Sequence, residues 1–451
     1  MKSSLWLLSL LWIMGAPPKD ASGQGSSQPA EDVDAVSATQ ATTTPADEAE
    51  SPPDPEKPFD IRNNEQLTGD WFGARTWLQT RGIEFGLSLT SVYQHNVRGG
   101  LQTHHGHAIS GSADYELTLD FEAMGLWKGG TFYMAAESGW QDDVVGVDRV
   151  GSIFGTDGDA IGDQSIYVDE LWYEQRFFGT KARFRIGRLD VTRDMDANAY
   201  ANDETTQFLN PALINTGNVP FPDYGLGMQV VVTPVDWFYA GAVVADAQAD
   251  GRTTGFKTAF HGAADYFSAF EFGFLPSFDT PWGKLPGGYR FGMWYDPQPK
   301  AKFFDDLGGR RRTIPWKRDD LGFYFNMDQL LIKERPDDDA DTQGLGCFFR
   351  YGYAPGDVNV VEHFWSLGTQ YQGLLPTRDN DVLGLGFAQG RISSQLRALE
   401  GGEQESVFEL YYSIEVFPWL FVAPDFQWIV DPGANHGRDA FVAGARIQAS
   451  F

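Results

Sequence analysis

The chain has 451 residues, including 51 Gly, 34 Phe, 17 Tyr and 14 Trp, yet its mean hydropathy is only -0.33. Many aromatics without overall hydrophobicity suit short strands with one apolar face, joined by Gly-rich turns. The formal net charge of -28 argues against a nucleic-acid partner, because phosphate backbones need clustered Lys and Arg.

The chain opens with Lys2, then an apolar run from Leu5 to Met14 and small residues at Ala21-Ser22-Gly23. That pattern predicts a secretory signal over residues 1–23; the run is too short to cross a bilayer as a helix. Residues 24–60 are rich in Ser, Thr, Pro, Ala and acids, and read as a disordered acidic linker. Residues 61–451 form the expected folded unit. Asp70 can cap a short helix from Trp71 to Arg81, with Gly82 as its stop. Trp71, Ala74, Trp77 and Leu78 fall on one face, which predicts packing against the end of the fold.

From Ile83 onward the pattern switches to period two. Phe85, Leu87 and Leu89 alternate with Glu84, Ser88 and Thr90. Phe408, Leu410, Tyr412 and Ile414 alternate with Glu409, Tyr411, Ser413 and Glu415. Successive strand side chains point to opposite faces, so each segment has an apolar and a polar wall. The first eight expected strands are 83–98, 106–124, 130–142, 164–178, 181–192, 224–234, 237–248 and 265–276. The second eight are 285–297, 320–333, 343–354, 363–374, 381–395, 404–417, 419–430 and 439–451. Short turns follow even strands, at Gly179-Thr180, Pro234-Val235-Asp236 and Pro418. Long loops follow odd ones, at 143–163, 193–223, 249–264 and 298–319. Short turns at one rim and long loops at the other predict an all-β, transmembrane antiparallel barrel of about sixteen strands with a short N-terminal helix. No linker after residue 60 suggests a chain of several soluble sandwiches.

Several motifs then resemble one family. Leu67-Thr68-Gly69-Asp70-Trp71-Phe72-Gly73-Ala74-Arg75-Thr76, with Gly82-Ile83-Glu84-Phe85, resembles the opening of OprB-type carbohydrate-selective porins. Phe184-Arg185-Ile186-Gly187-Arg188-Leu189-Asp190 is similar to a motif in the middle of that barrel. Leu383-Gly384-Leu385-Gly386-Phe387 and Gly390-Arg391-Ile392-Ser393 resemble another. The C-terminal block is Pro418-Trp419-Leu420, then Pro424-Asp425-Phe426-Gln427-Trp428-Ile429-Val430-Asp431-Pro432-Gly433, then the strand ending at Phe451. The resemblance implies a sixteen-stranded outer-membrane barrel that passes small carbohydrates, monosaccharides above all, by diffusion. The long acidic linker and the loop sequences depart from the family pattern.

A sugar pore needs aromatic faces for pyranose rings and charged or amide groups for their hydroxyls. Polar parity nominates Glu170, Trp172, Glu174 and Arg176 on one strand and Arg183 and Arg185 on the next. Arg183 and Arg185 can pair with Glu170 and Glu174 across strands. Asp425, Gln427, Arg446 and Gln448 are nominated on the closing strands, with Arg446 near Asp425 or the N-terminal helix. If the loop 193–223 folds inward, Asp194, Asp196, Asn198, Asn202, Asp203 and Glu204 face the solute. If it stays outside, it shields the mouth.

No metal or cofactor is expected. His104, His105 and His107 read as a solvated loop, and the acids of the loop 193–223 match no full EF-hand. No GxSxG, HExxH or phosphate-loop motif points to an enzyme. Lone Cys347 reads as a small packed hydrophobe. The expected partners are small sugars, outer-membrane lipid and the barrel-insertion machinery, with oligomerisation of identical chains left open. The alternatives are a general, weakly cation-selective diffusion porin and a structural outer-membrane barrel.

Overall fold

The computed structural model describes residues 60–249, 265–303, 315–338, 341–435 and 437–451. The expected signal and linker fall outside these residues apart from Asp60, as do nearly all of the loop 249–264 and much of the loop 298–319. Sixteen long strands are present among the described residues. The first eight are β1 (Ile83–Arg98), β2 (His107–Asp120), β3 (Gly130–Gln141), β4 (Gln164–Phe177), β5 (Ala182–Leu189), β6 (Gly225–Val235), β7 (Phe238–Asp246) and β8 (Tyr266–Phe274). The rest are β9 (Gly283–Asp296), β10 (Asp320–Lys333), β11 (Gly344–Tyr353), β12 (Val361–Gln372), β13 (Val382–Ile392), β14 (Gln404–Phe417), β15 (Leu420–Val430) and β16 (Ala440–Ser450).

Each strand pairs antiparallel with its sequence neighbours. β1 then pairs with β16, from Ser88 opposite Ser450 to Arg98 opposite Phe441, and closes the ring. Closure leaves no open edge, which is what strands in lipid require. The period-two pattern sorts as the sequence implies. Phe85, Leu87 and Leu89 on β1, Phe408 and Leu410 on β14, and Phe441 and Ile447 on β16 are exposed on the outer wall. Thr90, Gln94, Glu409, Tyr411 and Arg446 are buried on the inner wall. Inner glycines make room for rings lying flat along the wall. A Cβ on Gly292 would collide with the Tyr324 ring, and one on Gly384 with Tyr411.

The N-terminal helix differs from expectation. It is α1 (Ala74–Gln79), preceded by a tight turn rather than a helical start at Trp71. Trp71, Phe72 and Gly73 have φ of 49°, 60° and 85°, so the backbone cannot be helical there. Asp70 still caps α1 from outside the turn, accepting from the Thr76 N–H at 2.8 Å and its hydroxyl at 2.9 Å. Gly82, at φ 74°, ends the segment. The expected apolar contact is also displaced. Trp71 and Trp77 are exposed, whereas Arg75 is buried. Arg75 donates to the Phe451 carbonyl oxygen at 2.8 Å and lies over the Trp71 ring. Leu67 N–H donates to Ser450 O at 2.8 Å, so the segment preceding α1 is tied to the end of the last strand.

Arg75→Ala removes a partly buried, charge-assisted hydrogen bond worth about 1.5–3 kcal/mol. The expected result is a lower temperature for loss of the compact barrel band on cold-loaded gels, with single-channel conductance unchanged.

Candidate functional site

The chain between β5 and β6, residues 190–224, runs through the barrel instead of standing above it. The reasons are the apolar residues that it carries inward and the charged pairs that hold it. Val191, Met195 and Phe221 pack with Val243, Phe267, Trp294 and Tyr324 of β7–β10. Phe208, Ala212 and Leu213 pack with Phe348, Phe364, Ala388 and Tyr411 of β11–β14. Inner-wall Gly386 lies beneath Phe208 and Leu213, where a Cβ would crowd both. A single helical turn, Pro211–Ile214, starts at Asn210, whose side chain accepts from Ala212 N–H.

Polar contacts pin the loop to the far wall. Asp196 and Arg350 of β11 are both fully buried, with Arg350 Nε 3.3 Å from Asp196 Oδ1. Asn326 Nδ2 donates to the same oxygen at 2.8 Å, and Thr216 N–H donates to Asp196 Oδ2 at 2.6 Å. Asn198 Nδ2 donates to Asn326 Oδ1 at 2.7 Å. Glu409 of β14 accepts from the backbone N–H groups of Leu209 and Asn210 at 2.6 and 2.9 Å. Asn210 Nδ2 donates to Gln427 Oε1 at 2.9 Å. A second loop, 142–163, also turns inward. Glu405 accepts from Ile153 N–H at 2.9 Å, and Ser112 on β2 donates to Asp159 at 2.8 Å.

These contacts place the sequence candidates in two groups. Beneath the loop, Asp425, Gln427 and Arg446 are buried and Gln448 is half-buried. Gln427 donates to Asp425 at 2.9 Å and to Thr156 O at 2.8 Å. Arg446 lies neither on the N-terminal helix nor in an ion pair with Asp425; it donates to the Glu204 and Gln207 carbonyls. The loop's own carbonyls are nearer to it than either expected partner. Gln448 reaches Thr205 Oγ1 at 3.3 Å. Within the loop, Asp196, Asn198, Asp203 and Glu204 are buried in loop or wall contacts, so those side chains do not line an open channel. Asn202 is half-buried.

The other group gathers on β3–β5. Glu174 accepts from Arg176 Nε at 3.1 Å and from Arg185 Nη2 at 2.9 Å. Asp194 receives Arg185 Nη1 at 2.7 Å and also pairs with Arg183. Burial disfavours the Asp194 carboxylate, but Arg183 and Arg185 outweigh that effect and hold it well below the usual carboxylate range. Trp172 Nε1 donates to Glu170 Oε2 at 3.0 Å, and Glu170 also pairs with Arg193. Arg185 lies 4.2 Å over the Trp172 ring. Tyr133 stacks on Trp172 with centroids 4.8 Å apart. Trp172 is therefore not an open face for a pyranose ring, as the sequence suggested; it is the backing of a guanidinium. The most exposed side chains of the group are Arg176 at 44% and Arg183 at 30%.

Sequence reasoning missed Tyr133, Arg193 and Arg350. Tyr133 and Arg350 have inner parity, Tyr133 facing Trp172 across strands and Arg350 standing between Phe348 and Gly352. That parity is the signal that would have found them. Arg193 is on the loop, where no period operates.

The fold is shared by solved porins. A high-pH structure of Pseudomonas putida OprB superposes with a TM-score of 0.76 at 22% identity, covering 86% of this chain and 99% of that one. Porin B of Pseudomonas aeruginosa is 24% identical over 425 residues, 86% of this chain and 92% of that protein. A putative porin, QuiX, of Acinetobacter baylyi is 21% identical over 448 residues, 87% of this chain and 94% of that protein. The model of the carbohydrate-selective porin family OprB matches residues 104–451. With its closed sixteen-stranded barrel and a match over most of its length, the chain belongs to the OprB family of carbohydrate-selective porins.

Proposed function

We propose that small sugars, monosaccharides above all, cross the outer membrane through the part of the lumen that the loops 142–163 and 190–224 leave along β3–β5. The observation that carries this reading is the guanidinium row Arg176, Arg183, Arg185 and Arg193. Its members are held by Glu170, Glu174 and Asp194, and two of them are backed by aromatic rings. Each guanidinium presents up to five N–H donors in a rigid plane. Sugar hydroxyls accept from such donors in place of water. Because the row is already held by its carboxylates, little ordering is lost when a sugar arrives. Several neighbouring donors allow a sugar to exchange contacts stepwise, with no one contact strong enough to stop it.

In this reading Arg176 and Arg183 meet the solute. Arg185, Glu170, Glu174, Trp172 and Asp194 hold them in place, while Asp196, Asp425, Gln427, Arg446 and Gln448 secure the loop. Residues 1–23 serve as the export signal and 24–60 as a linker to the barrel.

Added glucose is expected to reduce the current through the protein in planar bilayers. Arg183→Ala should raise cation selectivity and weaken that block by about tenfold, the size of one charge-assisted hydrogen bond. A conducting pore indifferent to glucose would instead indicate general diffusion, and no stepwise current a structural barrel.

Arg350→Ala takes the guanidinium away from the buried Asp196 and should weaken the loop's hold by about 3 kcal/mol. The expected outcomes are a larger single-channel conductance and new protease cleavage within 190–224 in the folded protein. Unchanged conductance would mean that the loop does not set the aperture.

A further inference from the structure

The outer wall carries a continuous row of rings across β13–β16. Phe387 and Phe408 have centroids 4.8 Å apart. Phe408 and Trp428 stack at 5.1 Å, and Trp428 and Phe441 at 5.7 Å with an angle of only 4° between their planes. The row follows the strand pairing, Phe387 opposite Phe408, Phe408 opposite Trp428 and Trp428 opposite Phe441. It ends at Arg98, whose guanidinium lies over the Phe441 ring at 6.0 Å. Arg98 is the last residue of β1, at the long-loop rim, and makes no ion pair among the described residues. Beside it, His95 and His107 oppose each other across β1 and β2 with ring centroids 6.1 Å apart. Both share the outward parity of exposed Tyr93 and Ile109. Four of the seven histidines in this acidic chain lie between residues 95 and 107.

Outer-wall rings need only lipid around them, and a second row, Phe272, Phe291, Phe325 and Phe349, crosses β8–β11 with no cation over its rings among the described residues. An unpaired cation at the end of a stacked row is a different arrangement. We propose that this strip is a binding site for a phosphorylated glycolipid of the outer leaflet. Its acyl chain lies along Phe387, Phe408, Trp428 and Phe441. Its phosphate accepts a bidentate pair of hydrogen bonds from Arg98, with His95 and His107 as further donors. The apolar strip and the cation face the same lipid layer at successive heights, as chain and headgroup do. The other occupant of such a strip would be a second copy of the chain.

The test uses the full chain purified in detergent and mixed with either phosphorylated lipid A or its dephosphorylated form. Bound lipid is counted by native mass spectrometry. The wild-type protein is expected to retain the phosphorylated form at least about fivefold better than the dephosphorylated one, as one cation near a membrane surface supplies. Arg98→Gln should abolish that preference and Arg98→Lys should restore part of it. Trp428→Leu should lower retention of both forms. Conductance in phosphatidylcholine bilayers should be the same for every variant, which establishes that each is folded. Equal retention of the two lipids by the wild-type protein overturns the proposal without any variant. So does a preference that survives in Arg98→Gln, or a dimer that forms through the strip in lipid-free detergent.

Discussion

The buried pair of Asp196 and Arg350 governs the rest of the lumen. Both groups have no exposed surface, and taking two charges out of water costs several kcal/mol apiece unless further hydrogen bonds satisfy them. Asn326, Thr216 and the carbonyl oxygens of Asp196, Ala201 and Leu213 supply those bonds. A buried pair of this kind adds little net stability, but it specifies one arrangement, because any other leaves a charge unpaired. Here the arrangement is a loop that starts on one wall and reaches the opposite one. Its apolar residues then cover β7–β14, and its two neighbouring acids part company. Asp194 turns back to Arg183 and Arg185, while Asp196 goes across to Arg350. The division of the barrel into a filled part and a guanidinium-lined part follows from that separation.

The same separation accounts for the chemistry available to a solute. A ring such as Trp172 would bind a sugar through its face, yet Tyr133 and Arg185 cover it. What remains is a set of planar donors fixed by carboxylates. In the proposed reading such a wall favours polyhydroxylated neutral solutes, which can accept several hydrogen bonds and need no counter-charge.

The barrel was legible in the sequence because its signal is local. Strands with one wall in lipid and one in the lumen must alternate, and every strand boundary lies within four residues of the expected position. The pairing of Glu174 with Arg183 and Arg185 was legible for the same reason, since parity and adjacency put them on one wall, whereas Glu170 takes Arg193 of the loop instead of the strand arginines expected for it. Contacts between residues far apart in the chain were not. Asp196 and Arg350 are 154 residues apart, and Arg446 finds its carbonyls across about 240; no period connects them. The start of α1 was misplaced because three successive residues take positive φ, a conformation that only Gly73 announces by its type. The inward course of the loop 142–163 was missed because its acids resemble those of any solvated loop.

Accessibility of substituted cysteines to a charged, water-soluble thiol reagent tests the divided lumen most directly. In a Cys347→Ser background, Arg176→Cys should react quickly and its modification should change the current, while Val407→Cys and Gln427→Cys beneath the loop should stay unreactive. Rapid modification and block at Val407→Cys or Gln427→Cys, with none at Arg176→Cys, would place the passage on the other side of the loop and contradict this account.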